Sequence, residues 1–203
     1  RAACIVQRAS GSFGSRWPSS LTNGKVGVNL GNQVRMDREK PMSSFGQTVK
    51  SYPMRRNGQT LPLVVESRGD RGVAELADWV GENRDELESR LGEYGAVLFR
   101  GFGIEGPRDF EKIALNFEPE LEDEYLGTSP RESLTDYVYE ASGLPGYYPI
   151  PQHCEMTFVK NPPRRLFFSC LTAPTPGTGQ TPLVDFRKVY RQMDDDVLQR
   201  FVD

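Results

Sequence analysis

His153 is the only histidine in a chain of 203 residues. It stands two positions before Glu155, in the stretch Pro151-Gln152-His153-Cys154-Glu155-Met156-Thr157-Phe158. An imidazole and a carboxylate together make two of the three donors of a 2-His-1-carboxylate facial triad. The apolar and aromatic tail of the stretch predicts a buried strand, in which residues i and i+2 project to one face. His153 and Glu155 then stand side by side, with Cys154 turned to the opposite face and away from any shared ion. On the pattern alone, a polar surface pair is the favoured reading.

The surrounding elements must hold this pair in place. Leu61-Pro62-Leu63-Val64-Val65-Glu66 reads as an edge strand, because the proline removes one ladder donor. Leu76, Trp79, Val80, Asn83, Leu87 and Leu91 recur near the helical period and predict one helix from Val73 to Leu91, ended or turned by Gly92 and Gly95. Gly95 to Phe102 is a continuously apolar, buried-type strand. Pro107 opens a second helix to Phe117, with Phe110, Ile113, Ala114 and Phe117 as its core stripe. Residues 118–135 form an acidic loop, which is either plain solvated surface or the wall of a pocket that lends Arg131 to an anionic substrate. Tyr137-Val138-Tyr139 suggests a strand, and the Gly/Pro-rich segment 143–149 delivers the chain to His153. A strong strand over Arg165 to Ala173 follows. The turn Pro174-Thr175-Pro176-Gly177-Thr178-Gly179-Gln180-Thr181 then leads into a short strand, Thr181 to Val184. A helix starting at Asp185 or Phe186 runs to Met193, and Asp194-Asp195-Asp196 caps the last helix with negative charge at its N-terminus.

Composition bounds the function classes. With 37% apolar and 26% charged residues the chain suits a soluble globular domain, and no apolar run approaches the ~20 residues needed to cross a bilayer. A net charge of −3 argues against general nucleic-acid binding. The three cysteines, Cys4, Cys154 and Cys170, match no zinc or disulfide framework, so a reducing, cytoplasmic setting is the simplest expectation. Charge is unevenly placed. Residues 1–36 hold five basic and no acidic residues, while all 28 acidic and the remaining 20 basic residues lie beyond, a net of −8. Residues 1–58 therefore read as a basic, disordered extension with turn chemistry at Ser10-Gly11-Ser12, Pro18-Ser19-Ser20 and Asn23-Gly24. The acid-poor leader also permits an organellar transit peptide, and Met36 is a candidate start.

Four motifs in order carry a family resemblance. They are Leu61-Pro62-Leu63, Gly95-Ala96-Val97-Leu98-Phe99-Arg100-Gly101-Phe102, His153-Cys154-Glu155-Met156, and Gly177-Thr178-Gly179-Gln180-Thr181-Pro182-Leu183. Together, over residues 59–203, they resemble the TauD/TfdA-like Fe(II)/2-oxoglutarate dioxygenases. The H-x-E-M form is closest to the clavaminate synthase-like and syringomycin-type hydroxylase branch.

The resemblance implies an α+β fold with a mainly β core. That core is a double-stranded β-helix, or jelly roll, with flanking helices. It implies Fe(II) on His153 and Glu155 and 2-oxoglutarate held through the Thr181 hydroxyl, with no catalytic residues beyond the metal ligands. The substrate class implied is small and amino-acid-like, free or tethered to a carrier protein, with O2 as oxidant. A carboxylate at Glu155 favours hydroxylation over halogenation. The family's second iron-binding histidine and its 2-oxoglutarate arginine lie farther along. This chain has no second histidine, so it is expected to be the N-terminal part of such an enzyme, with the jelly roll present only in part. The competing expectation is an inactive oxygenase-like fragment or pseudoenzyme that acts as a binding module.

Overall fold

A computed structural model describes residues 3–8, 49–55, 58–124, 127, 131–141, 143–145 and 147–202. Its centre is built from the two most apolar runs of the chain. Leu63–Ser67 (β3) and Ala96–Arg100 (β4) pair in parallel, with Leu63 opposite Val97, Val64 opposite Leu98 and Val65 opposite Phe99. These six side chains are all buried. Burial on both faces is what makes such strands read as unbroken apolar runs rather than alternating ones. Val49–Pro53 (β2) pairs antiparallel with β3, and Ala3–Arg8 (β1) pairs antiparallel with β4 on the other side. Arg165–Cys170 (β5) completes the sheet against β1, in the order β2-β3-β4-β1-β5. Residues 3–8 and 49–53, which fall within the stretch expected to be an extension, thus form strands of this sheet.

Parallel strands need a crossover, and here it is helical. Val73–Glu82 (α1) and Arg84–Tyr94 (α2) connect β3 to β4. The single helix expected over 73–91 breaks at Asn83, which leaves helical geometry at φ −120° and ψ 34°. Its side-chain amide donates to the Trp79 carbonyl at 2.8 Å, the acceptor its own backbone N–H also uses. Such local side-chain bonding is how asparagine competes with helix continuation. The chain then runs past Gly92 and stops at Gly95, which takes the left-handed conformation at φ 76° that glycine adopts most readily.

Pro107–Phe117 (α3) packs across α1 and matches the expected helix in both bounds. The Asp109 carboxylate accepts from the Glu105 and Gly106 backbone N–H groups and closes its first turn. Leu76, Trp79 and Val80 of α1, Leu87 and Leu91 of α2, and Phe110, Ile113 and Phe117 of α3 bury against one face of the sheet. Within this core Phe99 meets Trp79 and Phe102 edge-to-face, with ring centroids 6.2 and 6.1 Å apart.

Three local expectations differ from the structure. β3 lies inside the sheet rather than at its edge, because Pro62 precedes the strand and leaves its ladder intact. Tyr137–Tyr139 forms no strand, only a single antiparallel bridge from Tyr139 to Ser133. Thr181–Val184 is irregular. The turns expected near residues 10–24, the possible start at Met36 and the loop residues Thr128-Ser129-Pro130 lie outside the described residues. The final helices are Phe186–Gln192 (α4) and Asp195–Val202 (α5), close to their expected positions. Among the described residues no helix is long and apolar enough to cross a membrane.

Candidate metal and co-substrate site

The His153–Glu155 stretch is not a strand. Residues 151–154 are irregular and 155–158 form a turn. Pro149 and Pro151 before the pair and Pro162 and Pro163 after it remove ladder donors, and Met156 sits at φ 52°. A non-glycine residue in that region carries strain, here directly beside Glu155. The turn nevertheless does what strand alternation was expected to do. His153 Nε2 and Glu155 Oε2 lie 3.5 Å apart. Two ligands of one ion, each about 2.1 Å from it, can be separated by at most about 4.2 Å, so the pair fits a shared metal.

The other imidazole nitrogen is engaged. His153 Nδ1 lies 2.9 Å from the Pro151 carbonyl oxygen. A carbonyl only accepts, so Nδ1 donates in this contact, and Nε2 is the nitrogen turned toward Glu155. This is the usual way in which a second contact selects the ligating nitrogen of a histidine. The His153 side chain is 55% exposed and Glu155 is 19% exposed, so the pair opens to solvent on the imidazole side. Cys154, between them, is partly buried.

Arg131 joins the pair. Its Nη2 lies 3.7 Å from Glu155 Oε2, the oxygen that also faces the imidazole. The loop that follows Arg131 is fixed to α3. The Glu111 carboxylate accepts from the Thr135 hydroxyl and from the Tyr137 backbone N–H, while Val138 is buried in the core. Backbone bonds from Glu140 N–H to the Glu132 carbonyl and from Leu134 N–H to the Val138 carbonyl close the loop. On the far side of the motif, the Arg165 guanidinium binds the carboxylates of Glu88 on α2 and Glu118 after α3. Its cation lies 5.3 Å from the Phe117 ring centre. The motif is therefore strung between two anchored segments. Among the described residues, His, Cys, Asp and Glu side chains nowhere converge in a set of three.

Thr181 is exposed, in the irregular segment between β5 and α4. The loop itself has the expected glycine chemistry. Gly177 and Gly179 take φ values of 87° and 61°, and a Cβ at Gly179 would stand 2.7 Å from the Pro174 ring. The far end of the loop is pinned by Asp185, which caps α4 by accepting from the Arg187 N–H at 3.0 Å. Arg187 also donates to the Gly92 carbonyl at the end of α2, at 2.5 Å. Partial burial pushes the Asp185 carboxyl upward, but the bonds and charge of Arg187 outweigh it and hold the carboxyl below the ordinary carboxylate range. The sequence named His153 and Glu155 as a pair and Arg131 apart from them. The Arg131–Glu155 pairing and the Pro151 carbonyl behind His153 were not foreseen. Only the second had a local mark, a carbonyl two residues before the ring.

Comparisons with known proteins converge on one family. Residues 59–203 match the taurine catabolism dioxygenase TauD, TfdA family. A clavaminate synthase-like protein of Arabidopsis thaliana is 39% identical over 109 residues, covering 54% of this chain and 33% of the relative. The dapdiamide synthesis protein DdaC of Enterobacter agglomerans is 25% identical over 149 residues, 73% of this chain and 44% of that protein. The chain thus spans between a third and a half of the curated relatives it matches. The family match covers well over half of its length, and the chain belongs to the TauD/TfdA family of dioxygenases.

Proposed function

We propose that this chain carries part of the active site of an Fe(II)/2-oxoglutarate-dependent dioxygenase that hydroxylates a small, amino-acid-like substrate. The observation that carries the reading is the approach of His153 Nε2 and Glu155 Oε2 to 3.5 Å, with His153 Nδ1 engaged by the Pro151 carbonyl. In this reading His153 and Glu155 hold Fe(II), and the Thr181 hydroxyl takes a carboxylate of 2-oxoglutarate. Arg131 offers a guanidinium to a substrate carboxylate. In this reading the whole enzyme folds as a jelly roll, whereas the described part of this chain forms a mixed five-stranded sheet with helices on it. Bound Fe(II), with 2-oxoglutarate and O2, supplies the oxidising power that places a hydroxyl on a C–H carbon while 2-oxoglutarate becomes succinate and CO2. The chain's own residues orient that chemistry. Pro151 fixes which nitrogen of His153 faces the metal, and Glu155 brings negative charge to it. The positive φ of Gly177 and Gly179 turns the backbone ahead of Thr181. A relative named for dapdiamide synthesis supports a small biosynthetic substrate.

A second reading, a module that holds metal without turnover, draws on the two-donor set and the single histidine. One experiment addresses both. Fe(II) affinity and succinate formation are measured with and without 2-oxoglutarate, for the wild-type chain and for His153→Ala. Metal binding that falls by more than about 100-fold in the variant supports the ligand role, and unchanged binding defeats it. Succinate formation by the wild-type chain separates the enzyme from the module.

A further inference from the structure

We propose that Arg131 is the counter-ion of Glu155 in the metal-free protein, and that an incoming metal ion must displace it. The inference rests on the ligand reading above. One carboxylate oxygen, Glu155 Oε2, faces both the imidazole at 3.5 Å and the guanidinium at 3.7 Å. A dication bound to that oxygen at about 2.1 Å stands within about 6 Å of Arg131 Nη2. Its double charge makes the repulsion larger than the attraction between a guanidinium and a carboxylate at 3.7 Å, because charge product outweighs the modest gain in distance. The side chains of Arg131 and Glu155 are 20% and 19% exposed, so water screens this interaction only in part.

Arg131 therefore serves Glu155 in one state and must leave it in the other. Without metal it neutralises a carboxylate that is four-fifths buried. With metal the guanidinium swings away on its flexible stem, free for the substrate carboxylate contact proposed above. Such a fork suits a planar carboxylate in either role. The geometry sets a sign: the pair lowers metal affinity, whereas a residue that merely steadied Glu155 for the metal would raise it.

Mn(II), which substitutes for Fe(II) without being oxidised by air, is titrated calorimetrically into the wild-type chain and into Arg131→Gln, Arg131→Lys and His153→Ala. The expected result is binding about tenfold tighter in Arg131→Gln, with Arg131→Lys close to wild type. Equal or weaker binding in Arg131→Gln overturns the proposal. A double-mutant cycle of Arg131→Gln and Glu155→Gln, read on the thermal midpoint of the metal-free chain, measures the ion pair by itself. Additive shifts there overturn the proposal as well. Coupling in the cycle combined with unchanged Mn(II) affinity in His153→Ala places the failure in the ligand reading, and leaves the ion pair standing.

Discussion

At the scale of single residues, His153 and Thr181 place different demands on the surrounding chain. In the proposed ligand role His153 needs one nitrogen turned to the metal, and the Pro151 carbonyl two residues away engages the other with a 2.9 Å contact. Local sequence suffices, which explains why an i, i+2 pattern found the pair even though the predicted strand is a turn. Thr181, in its proposed role, would need only a hydroxyl at the end of a tight loop, where Gly177 and Gly179 turn the backbone. In the proposed role its hydroxyl meets a charged carboxylate, a hydrogen bond worth about 1.5–3 kcal/mol. Thr181→Ala should therefore weaken 2-oxoglutarate binding at least about tenfold and leave Fe(II) affinity in the absence of 2-oxoglutarate unchanged. Parallel titrations of metal and co-substrate check this. A Thr181→Ala chain that binds 2-oxoglutarate like wild type would remove Thr181 from the site.

At the scale of elements, punctuation decided what the sequence could reveal. α3 was readable to both ends because Pro107 and the apolar stripe through Phe117 are local signals. The α1–α2 break was not, since Asn83 falls on the apolar period and acts through a bond to the Trp79 carbonyl. Gly95 shows how one position sets the geometry of an element. It ends α2 and starts β4, and a Cβ there would meet its neighbours at 3.7 and 3.8 Å, ordinary contact distances. Space is thus not the constraint; the φ of 76° is. Gly95→Ala should cost roughly 1–2 kcal/mol through backbone strain alone. Gly95→Asn should cost less, because asparagine visits the left-handed region more readily. Denaturant midpoints of the two variants test the distinction, and equal losses would point to packing instead.

At the scale of the whole molecule, the arrangement least visible in the sequence is the strand order. β3 and β4 announce themselves by continuous apolar runs, and the helices between them imply a parallel pair. Nothing local marks residues 3–8 as the neighbour of strands some ninety and some one hundred and sixty residues away. Yet β1 lies between β4 and β5, with Ala3 opposite Arg100 on one side and Cys170 on the other. Likewise, Arg131 and Glu155 come from separate loops, and their pairing depends on the anchoring of both to helices through Glu111 and through Arg165. The sheet and the site are thus connected. β5 begins at Arg165, just past the motif, and its edge-to-edge support is β1. Deleting residues 1–8 should leave β4 and β5 without a common partner and expose two strand edges, the situation that promotes aggregation. The expected outcome is a lower thermal midpoint, greater light scattering at equal concentration, and faster amide exchange at Leu166–Ser169 and Val97–Phe99. Exchange at Val64 and Val65, which pair on the far side with β2, should change less. Uniform loss of protection across all strands would mean that the sheet unfolds as one unit, and unchanged protection at Leu166–Ser169 would remove β1 from its place between β4 and β5.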